Sequence, residues 1–190
     1  MPINAPASLT PRARASLDRM MMLGLRQSLA ADHPHADIRL SQDSTRQGCT
    51  QMVMLSIASY GFRIVTALQF DESPATRAHM AGLRRQTGQD MGRQEFIDAL
   101  CESGNMCCGA INRELGAFYD HLGLSTPQIL DVRSLPHLEE LGAQHLSHFR
   151  IDLGEGLQLH ANLCAQAYEP MDFDWQMPEQ PEATGLLEMF

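Results

Sequence analysis

Residues 148–165 constrain the fold most. Phe149, Ile151 and Leu153 alternate with Arg150 and Asp152 in "HFRIDL", Gly154-Glu155-Gly156 follows, and "LQLHANLCA" resumes an extended pattern. Period-two alternation on either side of a glycine-rich turn predicts an antiparallel hairpin with one buried face. That face needs a covering layer, and 190 residues suffice for one domain with one sizeable core. A second hairpin is predicted where "MVMLSIAS" and "FRIVTALQF" meet through Tyr60 and Gly61, with Phe62, Ile64, Leu68 and Phe70 on one face. The covering layer reads as helical. A first helix spans 12–31, a short second one is capped by Ser73 and opened by Pro74 before Gly88, and a long third one covers 91–122. Extended structure resumes after Gly123, because Pro127 cannot continue a helix. Residues 135–145 read as either a short helix or a loop.

The expected architecture is therefore α/β of the α+β type, with helices packed on a mostly antiparallel sheet. The domain is placed at 12–168, after an N-terminal tail at 1–11. The last twenty residues hold five acids, two prolines and no basic residue, so 169–190 reads as a mobile acidic tail with an apolar end, "GLLEMF", suited to docking.

Charge and cysteine usage narrow the function classes. The formal charge is -9, and all 14 basic residues are Arg. The lack of Lys excludes a Schiff-base lysine or a P-loop lysine. An acidic balance without a basic stripe argues against nucleic-acid binding. The polar start, "MPINAPASLTPRARASLD", is not a signal peptide, and no long apolar run predicts membrane insertion, so a cytoplasmic location is expected. The five cysteines lack CxxC spacing, which fits reduced, buried thiols. No metal site is expected.

The third helix carries the informative pattern. At 100° per residue, Ile97, Leu100, Cys101, Gly104, Cys108, Ile111, Leu115, Phe118 and Leu122 share an apolar sector. Gly104 and Asn105 are poor helix formers side by side in its interior, and Gly alone costs about 1 kcal/mol relative to Ala. On the apolar face, Gly104 suits close approach to another backbone element. Asp98, Glu102, Asn105, Gly109, Asn112 and Gly116 form a polar row about 120° from that sector. Spacings of three and four stack them, so Glu102 and Asn105 can address one partner together, and two glycines keep the row low. An ordinary solvated helix face has the same polarity, so spacing alone does not separate the two readings.

The pattern Asp98, Glu102, Asn105 and, 22 residues later, Pro127 resembles the signature of the CheC, CheX and FliY family of chemotaxis phosphatases. "ESGNMCCGAIN" is similar to that family's motif helix, and "STPQIL" to its strand entry. One copy of the motif makes the chain resemble CheX more than CheC. The stretch at 134–147 and the acidic tail depart from compact CheX sequences.

The resemblance implies a CheC-like fold and, as substrate, the aspartyl phosphate of a CheY-like response regulator. The protein would need no cofactor of its own, because the Mg²⁺ is supplied by the regulator. It implies that Asn105 orients the attacking water, that Glu102 pairs with the regulator's active-site lysine, and that Asp98, Gly109 and Asn112 line the docking face. Gly104 and Pro127 are structural supports, Pro127 by ending the helix and starting the next strand. A homodimer through sheet edges is also implied.

Two rivals stand beside this reading. One is a thiol or metal site at Cys107 and Cys108, which point about 100° apart on a helix and so make poor joint ligands. The other is a non-catalytic adaptor on the same fold. His160, expected on the outer face of its strand, and His33 and His35, in a loop, read as solvated. Met20 to Met22 read as core filling.

Overall fold

The computed structural model describes residues 7–43, 48–84, 91–140 and 142–177. The elements are α1 (Pro11–Leu29), β1 (Asp37–Ser41), β2 (Gln51–Ala58), β3 (Phe62–Phe70), α2 (Pro74–Leu83), α3 (Arg93–Leu115), β4 (Gly123–Leu124), β5 (Gln128–Asp131), α4 (His137–Glu140), β6 (His145–Asp152) and β7 (Gln158–Ala167). All strand pairs in the sheet are antiparallel, in the order β1-β6-β7-β3-β2-β4, with β5 also on β2. Both predicted hairpins form. The β6–β7 turn places Gly154, Glu155 and Gly156 all at positive φ, a path that glycine takes without strain.

Helices α1 and α3 lie on one face of the sheet, over Val53, Leu55, Ile57, Ile64, Leu68, Phe149 and Leu163. The other face carries a smaller cluster of Met52, Val65, Ala67 and Cys164 beneath Leu135 and Leu138. Within the stretch flagged at 134–147, His137–Glu140 forms α4, Leu135 and Leu138 cover the back of the sheet, and His145 already begins β6. His160 lies on that back face but is buried, not solvated as expected. Strand β1, within a segment that carried no strand signal, pairs with β6 at one sheet edge.

The third helix is shorter than predicted. It starts after Gly92, whose N–H is accepted by the Glu95 carboxylate at 2.8 Å, and it ends at Leu115. There Ala117 and Phe118 donate to the carbonyls of Glu114 and Leu115, tightening the last turn, and His121 takes a positive φ as the chain reverses. Phe118 is therefore off the helix and exposed, not in the core. The buried face is also rotated. Phe96, Ala99, Ser103 and Cys107 are buried, whereas Ile97 and Cys101 are only half-buried, because α3 packs against α1 as well as the sheet.

Both tail assignments need correction where the chain is described. Leu9 is buried, and Thr10 caps α1 by accepting from the Ala13 N–H. Residues 169–177 form an ordered strap along α1. Met171, Phe173 and Trp175 are buried, the Trp175 N–H donates to Ser16 Oγ at 2.9 Å, and its indole N–H donates to Glu114 at 2.9 Å. Asp172 accepts from Thr10 and pairs with Arg12. The acids that suggested a solvated tail are here the polar edge of an apolar strap. Residues 178–190, with "GLLEMF", lie outside the described residues.

Burying a large apolar side chain contributes roughly 1.5–3 kcal/mol. A chain ending at residue 168 loses three such side chains, and urea denaturation should show it less stable by several kcal/mol. A fully stable truncation would refute the strap's role. Gly24 supplies a second test: a Cβ there would lie 2.7 Å from the Cys107 carbonyl oxygen, whereas one at Gly82 meets nothing within 4 Å. Gly24→Ala is expected to destabilise by about 1–3 kcal/mol through overpacking. Gly82→Ala should be neutral or stabilising by up to about 1 kcal/mol.

Candidate functional site

The site is built on α3, and two glycines set where that helix lies. Gly24 of α1 meets the Cys107 backbone, so α1 and α3 run in close contact. A Cβ on Gly104 would lie 2.7 Å from Leu55 Cδ1 and 3.0 Å from Val53 Cγ1, so α3 also rests directly on β2. The close approach expected of Gly104 is therefore to side chains of the sheet rather than to backbone. With these contacts beneath it, the row of Asp98, Glu102, Asn105 and Gly109 points nearly opposite the buried face.

Along that row, Asp98, Glu102 and Asn105 are exposed and Gly109 and Asn112 half-buried. The Asn105 carboxamide makes no hydrogen bond among the described residues. Asp98 accepts from Gln94 Nε2 at 2.9 Å. Glu102 Oε2 accepts at 2.6 Å from Nη2 of Arg84, the residue that follows α2, a pair on an exposed carboxylate. A Cβ on Gly109 would meet nothing within 4 Å, so internal packing does not require a glycine there. Its effect is on the outside, where it keeps the row low. The Asn112 Oδ1 is buried without a hydrogen-bond partner among the described residues.

Pro127 does not end the helix, which stops twelve residues earlier at Leu115. It lies between β4 and β5 on the β2 edge, immediately before Gln128 starts β5. A proline there has no N–H to offer and interrupts the edge.

Three features were not visible in sequence. Arg84 is 18 residues from Glu102 and reaches it only through the packing of α2 on α3. Gly24 had no counterpart until α1 met α3. Met106, beside Asn105 and half exposed, flanks a cleft of about 250 Å³ that runs between Glu102 and Ser103 on one side and Gln27 and Ala31 on the other.

The thiols beside the motif are packed away. Cys107 is fully buried against Met21, and burial pushes its pKa far up. Cys108 is pushed up to about 11 by burial, opposed by its contact with the Thr66 hydroxyl at 2.9 Å. Among the described residues no group of three His, Cys, Asp or Glu side chains converges to hold a metal ion, and no helix is long and apolar enough to cross a membrane.

No family model and no curated protein matches the chain by sequence. Solved structures do match in shape. CheX in the CheX–CheY–BeF₃–Mg²⁺ complex from Borrelia burgdorferi superposes with a TM-score of 0.58 at 13% identity, covering 80% of this chain and 96% of that one. A CheC-like chemotactic protein from Shewanella oneidensis gives 0.55 at 12% identity, with 80% and 96% covered. CheX from Vibrio vulnificus gives 0.52 at 12% identity, with 80% and 97% covered. The chain has the CheC-like fold. At these identities the likeness concerns the fold alone, and the motif row on α3 is an observation of this chain's own sequence and geometry.

Thiol labelling checks the packing around the row on α3. In native protein Cys101, the half-buried one, should react first, while Cys107 and Cys108 should react only on unfolding. Rapid native labelling of Cys107 would contradict the helix placement. For the surface pair, Arg84→Ala should change stability by less than about 1 kcal/mol, read by urea denaturation.

Proposed function

We propose that this protein hydrolyses the aspartyl phosphate of a CheY-like response regulator. The observation that carries the reading is the Asn105 carboxamide, exposed, unpartnered among the described residues, and one turn from a carboxylate on the outward row of a doubly buttressed helix. The fold likeness supports it, since the Borrelia burgdorferi CheX structure is a complex with CheY, BeF₃ and Mg²⁺.

Hydrolysis of an acyl phosphate needs a water in line with phosphorus and opposite the leaving carboxylate, so the helper's work is positioning. The Asn105 amide oxygen accepts from that water while the NH₂ group donates elsewhere, with no proton to gain or lose. The water attacks phosphorus, the bond from phosphorus to the aspartyl oxygen breaks, and inorganic phosphate and the free carboxylate result. The Mg²⁺ stays with the regulator. Glu102 pairs with the regulator's lysine through Oε1, while Oε2 remains with Arg84. Asp98, Gly109 and Asn112 complete the docking face.

The adaptor reading draws on one observation, that the Glu102 carboxylate is already engaged by Arg84 at 2.6 Å. The two readings separate in one experiment, in which decay of a phosphorylated regulator from the same organism is followed with wild-type protein and two variants. Asn105→Ala should abolish acceleration with binding nearly intact. Glu102→Ala should weaken binding by roughly 10- to 100-fold, as loss of a charge-assisted hydrogen bond of about 1.5–3 kcal/mol requires. Binding without acceleration by the wild type would establish the adaptor.

A further inference from the structure

We propose that the groove along the outer side of α1 is the docking site for this chain's own residues 185–190. The groove encloses about 790 Å³ and is walled by Met22, Leu23, Ala30, Pro34, Ile38 and Met177. Apolar side chains at such a surface concavity mark a surface that something covers.

The occupant is indicated by where the strap ends. Trp175 is pinned to α1 through Ser16, and Arg19 donates to its carbonyl from Nε at 2.9 Å and from Nη2 at 2.6 Å. Two residues later Met177, the last described residue, already forms part of the groove wall. The chain therefore leaves the strap at the groove itself. Thirteen residues follow, with an extended reach of roughly 43–47 Å, against about 11 Å for the stretch of α1 from Met22 to Leu29. Pro178 and Pro181 favour an extended spacer, and Leu186, Leu187, Met189 and Phe190 then supply adaptable apolar anchors.

Charge is complementary as well. Residues 178–190 carry Glu179, Glu182 and Glu188 and no basic residue. Arg26 lines the groove and forms no ion pair among the described residues. The groove shares Gln27 and Ala31 with the cleft beside Glu102, so a docked tail lies next to the candidate site. The docking itself does not depend on the phosphatase reading.

The test is methionine-methyl NMR on the full chain, with Met22 and Met189 assigned by Met→Leu variants. Cross-peaks between the Met189 and Met22 methyls are expected. They should vanish in Leu187→Glu, which alters only the tail, and in Leu23→Glu, at the groove wall, while the signal of Met20, buried in the core against which Leu23 packs, stays in place to report an intact fold. Absence of the cross-peaks in wild-type protein overturns the proposal. So does a mixed-label sample in which they arise only between copies, since the occupant is then a second molecule. A Met22 signal unmoved by Leu187→Glu overturns it too, and leaves the groove to a separate partner.

Discussion

Everything outward on α3 depends on how closely that helix is held from beneath. Gly24 and Gly104 remove a Cβ on two sides of it, at the α1 backbone contact and at the sheet contact. Each glycine costs helix propensity, about 1 kcal/mol relative to Ala. The return is depth: α3 sinks onto β2 and against α1, and its rotation is set by two surfaces rather than one. A helix held on two sides presents its third side with little freedom, and that side carries Asp98, Glu102 and Asn105.

The strap adds a second constraint at one end of the same pair. Trp175 bridges Ser16 of α1 and Glu114 of α3, while Phe173 packs edge-on against Tyr119 and at a tilt against Phe118 at the α3 exit. Because α1 and α3 run antiparallel, this closes the end formed by the start of α1 and the finish of α3. Toward the other end a cleft lies between Gln27 and Ala31 on one side and Glu102 and Met106 on the other. The pair is tied at one end and open at the other, and the candidate site lies toward the open end.

Much of the fold was legible because its signals are local. Alternation around Gly154 to Gly156, the Ser73-Pro74 helix start and the row on α3 are each written within a few residues of one another. What was not legible is long-range. Strand β1 drew no strand reading, because it is an edge strand whose pairing with β6 lies over a hundred residues away. The acids of the strap read as solvated because Arg12 and Arg19, which pair with Asp172 and Asp174, sit at the opposite end of the chain. The helix face was misjudged by one residue position, Phe96 for Ile97, because a wheel assumes one burying surface and α3 has two. The exposed polar row was readable from spacing, its likeness to a motif only by resemblance, and Arg84 by neither, since a salt bridge between two helices leaves no periodic trace.

The contrast between Asn105 and Glu102 bears on how such a site can act. A side chain that must enter another protein's pocket should bring no internal bond that has to be broken first, and Asn105 has none among the described residues. Its short stem on a buttressed helix leaves few rotamers to freeze on binding, which lowers the ordering cost. Glu102 is the opposite case. Its longer side chain is held by Arg84 through one carboxylate oxygen, at 2.6 Å. A carboxylate so fixed can accept a second cation without first losing its rotamer freedom, and the guanidinium remains to balance part of its charge when no partner is bound. The row thus combines a free amide with an acid already held on one side, the two features on which the proposed reaction draws.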